Sequence, residues 1–124
     1  MYKVSDFKSD SGKDVLAKNL DKLSKKRPNL AYAAGLMIED LKCHGRQVQR
    51  CIFKLLDSKS DLWELKKSGT QIRIGVYVDK EGSPEEFVLL DLYIKKRDDV
   101  DQNTIDSLKA KITLLKQRKN NGKN

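Results

Sequence analysis

The most regular pattern along the chain is an alternation of apolar and polar residues between Gln71 and Asp79. The apolar positions are Ile72, Ile74, Val76 and Val78. Successive side chains of a strand point to opposite faces of a sheet, so this period of two predicts a half-buried strand. Arg73 and Tyr77 then share the face opposite the hydrophobic core.

Two further strands are predicted beside this one. Glu86 to Ile94 is an almost continuous apolar run, as expected of an interior strand, and a turn with Gly82 and Pro84 precedes it. Leu62 to Lys67 is a shorter candidate that ends at a Ser-Gly turn. Three consecutive strands joined by short turns predict an antiparallel meander.

The chain before the meander predicts a short strand and then a helix. Tyr2 to Phe7 can form an edge strand. Ser11 and Asp14, three residues apart, resemble a capping box, which opens a helix that ends near Lys25. The inward-facing residues of this helix are Leu16, Leu20 and Leu23.

A second helix is predicted after Pro28, which breaks the first one. Asn29 can cap this helix, and Gly45 is expected to end it. Its apolar stripe is Leu30, Ala34, Met37, Ile38 and Leu41. A small domain needs such a stripe to cover its sheet, so we interpret it as core rather than as a partner-binding surface. The pattern from Arg46 to Asp57 fits either a strand or an irregular segment.

The last predicted helix runs from about Gln102 to Arg118. Its apolar face is Ile105, Leu108, Ile112 and Leu115. Residues 119–124 are polar and basic with nothing to bury, so we expect them to form a mobile tail. Together these elements predict one α+β domain over residues 1–118, with an N-terminal strand and two helices, a meander and a C-terminal helix.

The charge balance favours a partner that carries phosphate. The 124 residues include 26 Lys and Arg against 18 Asp and Glu, which gives a formal net charge of +8. Charge alone also fits a solvated basic surface without a ligand. No secretory segment and no apolar run of membrane-spanning length is present, which predicts a cytoplasmic protein with no membrane partner.

The cysteines do not suggest a metal site. Cys43, Cys51 and the single histidine, His44, offer at most three zinc ligands, whereas a structural zinc site uses about four. We therefore expect no metal and no other cofactor. Both cysteines are expected to be small, mostly buried hydrophobic residues.

Residues 62–96 carry a family resemblance. An aliphatic-aromatic-Glu-Leu-basic element, Leu62 to Lys66, is followed by a glycine turn, by the pair Arg73-Ile74, and by a hydrophobic strand that ends in Ile94-Lys95-Lys96. This order resembles the HigB branch of the RelE-like toxins of type II toxin–antitoxin systems. The resemblance extends over roughly residues 2–116, and it implies the RelE-like microbial RNase fold.

The resemblance also implies an activity, the ribosome-dependent cleavage of messenger RNA in the ribosomal A site. Cleavage of RNA by its own 2′-hydroxyl needs a proton acceptor, cations that stabilise charge on the phosphate, and a proton donor for the leaving 5′-oxygen. An arginine stays charged and can hold phosphate oxygens, which makes Arg73 the first choice. The candidate catalytic residues are Arg73, Lys66, Lys95 and Tyr93, and the candidate RNA-binding residues are Lys67, Tyr77, Lys96 and Arg97.

One departure from the family pattern bears on the mechanism. Many HigB-like relatives place a histidine or another polar group near the position of Asp91 to Tyr93, whereas His44 is predicted on a distant helix as a cap or surface group. Catalysis would then rely on cations more than on a paired acid and base. Glu64 is interpreted as an ion-pair partner rather than as a base.

The partners implied by the resemblance are the ribosome with its mRNA and a helix-turn-helix antitoxin of the HigA type. Operator DNA would be bound only through the toxin–antitoxin complex. Two other hypotheses fit the same basic sheet: a non-catalytic RNA- or ribosome-binding module, and a phage-derived protein that acts only through a protein partner.

Overall fold

A computed structural model describes residues 1–96 and 101–122 of the chain. Along this part, the elements are β1 (Lys3–Asp6), α1 (Val15–Lys26), α2 (Pro28–His44), a short 3-10 helix (Gly45–Gln47), β2 (Ile52–Asp57), β3 (Leu62–Lys66), β4 (Ile72–Asp79), β5 (Glu86–Ile94) and α3 (Gln102–Asn121). The strands form one sheet in the order β1-β5-β4-β3-β2. The α+β class is therefore confirmed.

The sheet is mixed. β1 lies at one edge and runs parallel to β5, whereas the other neighbours are antiparallel. The predicted meander is confirmed as β3-β4-β5, and the predicted N-terminal edge strand is confirmed as β1. Because β1 pairs only with residues 86–89, it leaves the C-terminal half of β5 unpaired on that side within the described chain.

Each face of the sheet has its own hydrophobic core. On the first face, the apolar side chains of β4, among them Ile72 and Ile74, pack with Met37 and Leu41 of α2. On the second face, Leu108 and other residues of α3 form a smaller core. The predicted apolar stripe of α3 belongs to the second core, and that of α2 belongs to the first core except for Leu30, which lies outside it. α3 covers part of this second face, the face that Arg73 and Tyr77 were predicted to share.

The helix ends differ in part from the predictions. The N-cap of α1 is Asp14, whose Oδ1 accepts from the backbone N–H of Ala17 at 2.9 Å, and Ser11 is not the cap. Asn29 does not cap α2 either, because Pro28 already occupies its first turn. Gly45 ends α2 as predicted, with a positive φ of 60°.

The ambiguous segment and the C-terminal residues are both more regular than their sequences indicate. Residues 52–57 form β2, an edge strand with few buried side chains, so no clean alternation marks it. Residues 119–121, expected in a mobile tail, belong to α3. Lys119 contacts Asp79 at 2.9 Å and Glu81 at 2.7 Å, and these carboxylates extend the helix beyond Arg118.

A close approach fixes α3 against the sheet. Gly75 in β4 has no side chain, and a Cβ placed there would lie 2.7 Å from Leu108 Cδ2. Leu108 therefore occupies the space above this glycine. Beside it, β5 contains a bulge: Gly75 pairs with Asp91 and Val76 pairs with Leu89, so one residue of β5 has no opposite partner.

Asp40 joins the end of α2 to the chain that leads into β2. Burial alone would raise its pKa, but hydrogen bonds from the backbone N–H groups of Gln49 and Arg50 and from His44 outweigh burial and lower the pKa to about 2. His44 thus has a structural contact at the helix end. Cys51 is half-buried, whereas Cys43 is exposed, which corrects the expectation that both are mostly buried.

Candidate functional site

The part of the second face that α3 leaves uncovered contains a polar cleft of about 410 Å³. It lies at the end of the sheet where β3 ends and β4 begins. The residues that line it are Lys54, Lys66, Thr70, Gln71, Arg73, Lys95 and Lys96. Five of the seven carry a positive charge, so the cleft is suited to an anionic group.

Strand register explains why these cations lie together. Lys66 of β3 pairs with Arg73 of β4, which in turn pairs with Tyr93 of β5. In the next row, Lys54 of β2 pairs with Glu64 of β3. Directly opposed residues of antiparallel strands share a face, and so do residues two apart along a strand, such as Glu64 and Lys66. The cations Lys54, Lys66 and Arg73 therefore lie together on the second face.

The carboxylates that the structure describes neutralise little of the charge on the lysines of the cleft. Within the described residues, no carboxylate lies within 4.0 Å of the ammonium groups of Lys54, Lys66, Lys95 or Lys96. Unpaired cations that face one cleft produce a positive potential, and an incoming phosphate would reduce their mutual repulsion.

Arg73 is held more firmly than the lysines. Its Nη1 donates to the backbone carbonyls of Thr70 and Ile72, both at 2.8 Å, and its side chain is 15% exposed. The buried Nε lies 3.9 Å from the buried Oε1 of Glu64, beyond hydrogen-bond distance. Two of the three guanidinium nitrogens thus face the protein, and Nη2 is the one available to a ligand.

A buried contact lies below Arg73. The hydroxyl of Tyr93 donates to Oε2 of Glu64 at 2.5 Å, and Glu64 is fully buried. Burial, followed by the hydrogen bond and charge of Glu64, raises the pKa of Tyr93 far above its usual value, against a smaller opposite effect of Arg73. Tyr93 therefore stays neutral, and Glu64 acts as the counter-charge of Arg73, as its sequence context suggested.

The structure brings four of the predicted site residues into the cleft and leaves others outside it. Arg73, Lys66, Lys95 and Lys96 line the cleft. Tyr93 is adjacent in register but faces Glu64. Lys67 follows β3 directly and is not one of the residues that line the cleft. Arg97 lies outside the described residues.

Tyr77 does not belong to the open cleft. It shares the second face with Arg73, as predicted, but it is only 8% exposed and packs in the core beneath α3. The Nζ of Lys116 lies 5.9 Å from its ring centroid. The assignment of Tyr77 to RNA binding is thus corrected: α3 covers the ring, and a base cannot stack on it.

Sequence reasoning missed Lys54, Thr70 and Gln71. Lys54 lies in β2, whose pattern does not identify it as a strand, so its register with Glu64 could not be derived. Thr70 and Gln71 belong to the β3–β4 turn, whose position depends on the hydrogen bonds from Thr70 to the Lys67 carbonyl. Lys54 could have been predicted as a cleft residue if residues 52–57 had been recognised as a strand.

No protein-family model matches this chain, and no curated protein matches it. In the described ranges, no group of three or more His, Cys, Asp or Glu side chains is arranged to hold a metal ion. None of the helices described here combines the length and apolar character needed to cross a membrane.

Proposed function

We propose that this chain is the toxin of a type II toxin–antitoxin system, with the RelE-like RNase fold of the HigB branch. Its activity would be ribosome-dependent cleavage of mRNA in the A site, without a metal cofactor, which inhibits translation in the cytoplasm. The observation that carries the proposal is the cleft of five cations, which lie on β2, β3 and β4 and directly after β5, centred on the rigidly held Arg73.

The proposed reaction is transesterification within the RNA. The 2′-oxygen forms a bond to the adjacent phosphorus, the bond from phosphorus to the 5′-oxygen breaks, and the 2′-proton passes to a water molecule. Arg73 Nη2 and the ammonium of Lys66 are the cations assigned to the phosphate oxygens, where negative charge develops. The ammonium of Lys95 is assigned to donate the proton that the leaving 5′-oxygen needs.

Dependence on the ribosome follows from what the cleft lacks. Among the residues that the structure describes, no histidine lines it, and the hydroxyl of Tyr93 is engaged by buried Glu64. A site with cations but no paired acid and base gains most from a partner that orients the 2′-hydroxyl in line with the scissile bond. The ribosome would supply that orientation.

A second candidate function is a non-catalytic RNA- or ribosome-binding module. The contact between Tyr93 and Glu64 favours it, because the one hydroxyl considered for catalysis is committed to a structural hydrogen bond. Four lysines and an arginine suffice to bind a phosphate backbone without any chemistry.

The proposed partners follow from the toxin assignment. A helix-turn-helix antitoxin of the HigA type would hold the protein inactive in its own cell. Contact with operator DNA would occur only through that complex.

Expression in bacterial cells tests the proposal. Wild type should arrest growth, and Arg73→Ala in a Glu64→Gln background should not, because it removes the guanidinium without leaving a buried carboxylate unpaired. Glu64→Gln alone is the matched control, and circular dichroism checks that both variants fold. Growth arrest that persists after loss of Arg73 would contradict the catalytic assignment.

A further inference from the structure

A groove of about 680 Å³ lies on the first face, between the C-terminal half of α1 and the end of β5. Its floor consists of Leu23, Leu92 and Ile94, which are half-buried and pack against the first core. The side chains of Lys22, Lys26 and Arg27 form its rim and are exposed. The apolar side chains of the floor are therefore left partly exposed, and basic side chains surround them.

The groove is separate from the cationic cleft. Ile94 lines the groove and Lys95 lines the cleft, and consecutive residues of an extended chain point to opposite faces. A molecule bound in the groove would therefore leave the cleft open. Binding in the groove does not depend on the function proposed for the cleft.

The rim carries charge without local compensation. Among the residues that the structure describes, Lys22, Lys26 and Arg27 form no ion pair, whereas Lys25 lies 3.4 Å from Asp21. A ligand with carboxylates at its edges would match this rim, and one with aliphatic side chains would match the floor.

The lining argues against RNA as the occupant. Its floor is aliphatic, and none of the described residues that line the groove is aromatic, so they offer no platform on which a base could stack. Along α1 and its C-cap residue, the lining runs from Asn19 to Arg27, a distance of about 12 Å at a rise of about 1.5 Å per residue. That length accommodates about two turns of a helix.

We propose that this groove is a docking site for an acidic amphipathic helix of a partner protein. Leucine-like side chains at helical spacing would enter between α1 and β5 and cover Leu23, Leu92 and Ile94. Glutamate or aspartate side chains on both sides of that stripe would pair with Lys22, Lys26 and Arg27. Charges on the rim of such a contact contribute to the rate of association as well as to its specificity.

The test uses the full chain and a synthetic helix as the probe. This peptide, of about 15 residues, carries leucines at i, i+3, i+4 and i+7, glutamates beside them and alanines elsewhere. A second peptide has the same composition with leucines at every other position. Fluorescence anisotropy gives the Kd, and amide chemical shifts locate the site.

We expect saturable binding of the helical peptide, with shifts at Leu23, Leu92 and Ile94, and weaker binding of the alternating peptide. The double variant K22E with K26E should raise the Kd about tenfold or more. The matched double variant K13E with K59E makes the same change in net charge at exposed lysines outside the groove, and it should bind as wild type does.

Three results would overturn the proposal: equal binding of both peptides, equal effects of the two double variants, or shifts centred on Lys66 and Lys95. The combined variant R73A with E64Q keeps the groove intact and should bind the helical peptide as wild type does. Because this variant alters the cleft and not the groove, a failure of this proposal can be distinguished from a failure of the function proposed for the cleft.

Discussion

Tyr93 of β5 reaches across β4 to donate a hydrogen bond to Glu64 of β3. The residue of β4 that lies beside Glu64 is Gly75, so no side chain stands between the two on that strand. Arg73, which pairs with Tyr93 in register, lies 3.9 Å from the same carboxylate. The three residues join the central strands beneath the cationic cleft.

Tyr93 and Glu64 should be energetically coupled in their effects on the free energy of unfolding. Tyr93→Phe leaves a buried carboxylate oxygen without its donor, and Glu64→Gln removes the charge that this donor stabilises. A double-mutant cycle from urea unfolding should give a coupling energy of about 1–2 kcal/mol. Additive effects of the two substitutions would mean that the hydrogen bond contributes little to stability.

Gly75→Ala should displace α3. Its new Cβ would meet Leu108, which is 2% exposed and has little room to move, so we expect a loss of about 1–3 kcal/mol in the free energy of unfolding. Gly35→Ala is the control, because that glycine lies exposed in α2 and a methyl group added there would meet nothing within 4 Å. The control should gain about 0.5–1 kcal/mol. A neutral Gly75→Ala would show that α3 does not pack tightly there.

The pair Asp6 and Asp14 should make stability depend on pH. Burial, followed by the hydrogen bond and charge of Asp14, raises the pKa of Asp6 to about 6 from 3.8. The folded state then binds more protons than the unfolded state, so stability falls as pH rises from about 4 to about 6.

Asp6→Asn should remove that dependence and raise stability at neutral pH. Solvent screens this partly exposed group, so the gain should stay below about 1 kcal/mol. Unfolding midpoints of wild type and variant, measured across this pH range, check the sign. A variant that is less stable than wild type at neutral pH would contradict the assigned shift.

Binding of single-stranded RNA to the cleft should depend steeply on salt. Each lost contact between a lysine and a phosphate lowers the slope of log K against log salt by about 0.7. Lys66→Ala and Lys95→Ala should each show this reduction in filter-binding or anisotropy titrations. Lys59→Ala, at an exposed lysine outside the cleft, should not, and an equal reduction there would indicate unspecific attraction to net charge.

Much of the fold was predictable because its signals are periodic. The alternation around Ile72 and Ile74 identified β4, and the apolar stripe that includes Met37 identified the core face of α2. β2 lacked such a signal because an edge strand buries few residues. The α3 extension depends on Lys119 meeting Asp79 across a distance of forty positions, and no local pattern indicates such a contact.

The site was predictable only in part for a related reason. Strand parity correctly placed Arg73 and Tyr77 on one face, but it could not show which part of that face α3 covers. The part of the face that α3 covers depends on the packing of Leu108 against Gly75, which is a tertiary contact. For the same reason, Lys54 can be assigned to the cleft only from the pairing of β2 with β3.

Primer extension on a defined mRNA, incubated with purified protein in the presence and absence of programmed ribosomes, tests the central claim most directly. Wild type and Glu64→Gln should produce cuts within codons only when ribosomes are present. The variant that adds Arg73→Ala to Glu64→Gln should produce none. Folded wild-type protein that yields no cuts under either condition would contradict the assignment as an mRNA-cleaving toxin.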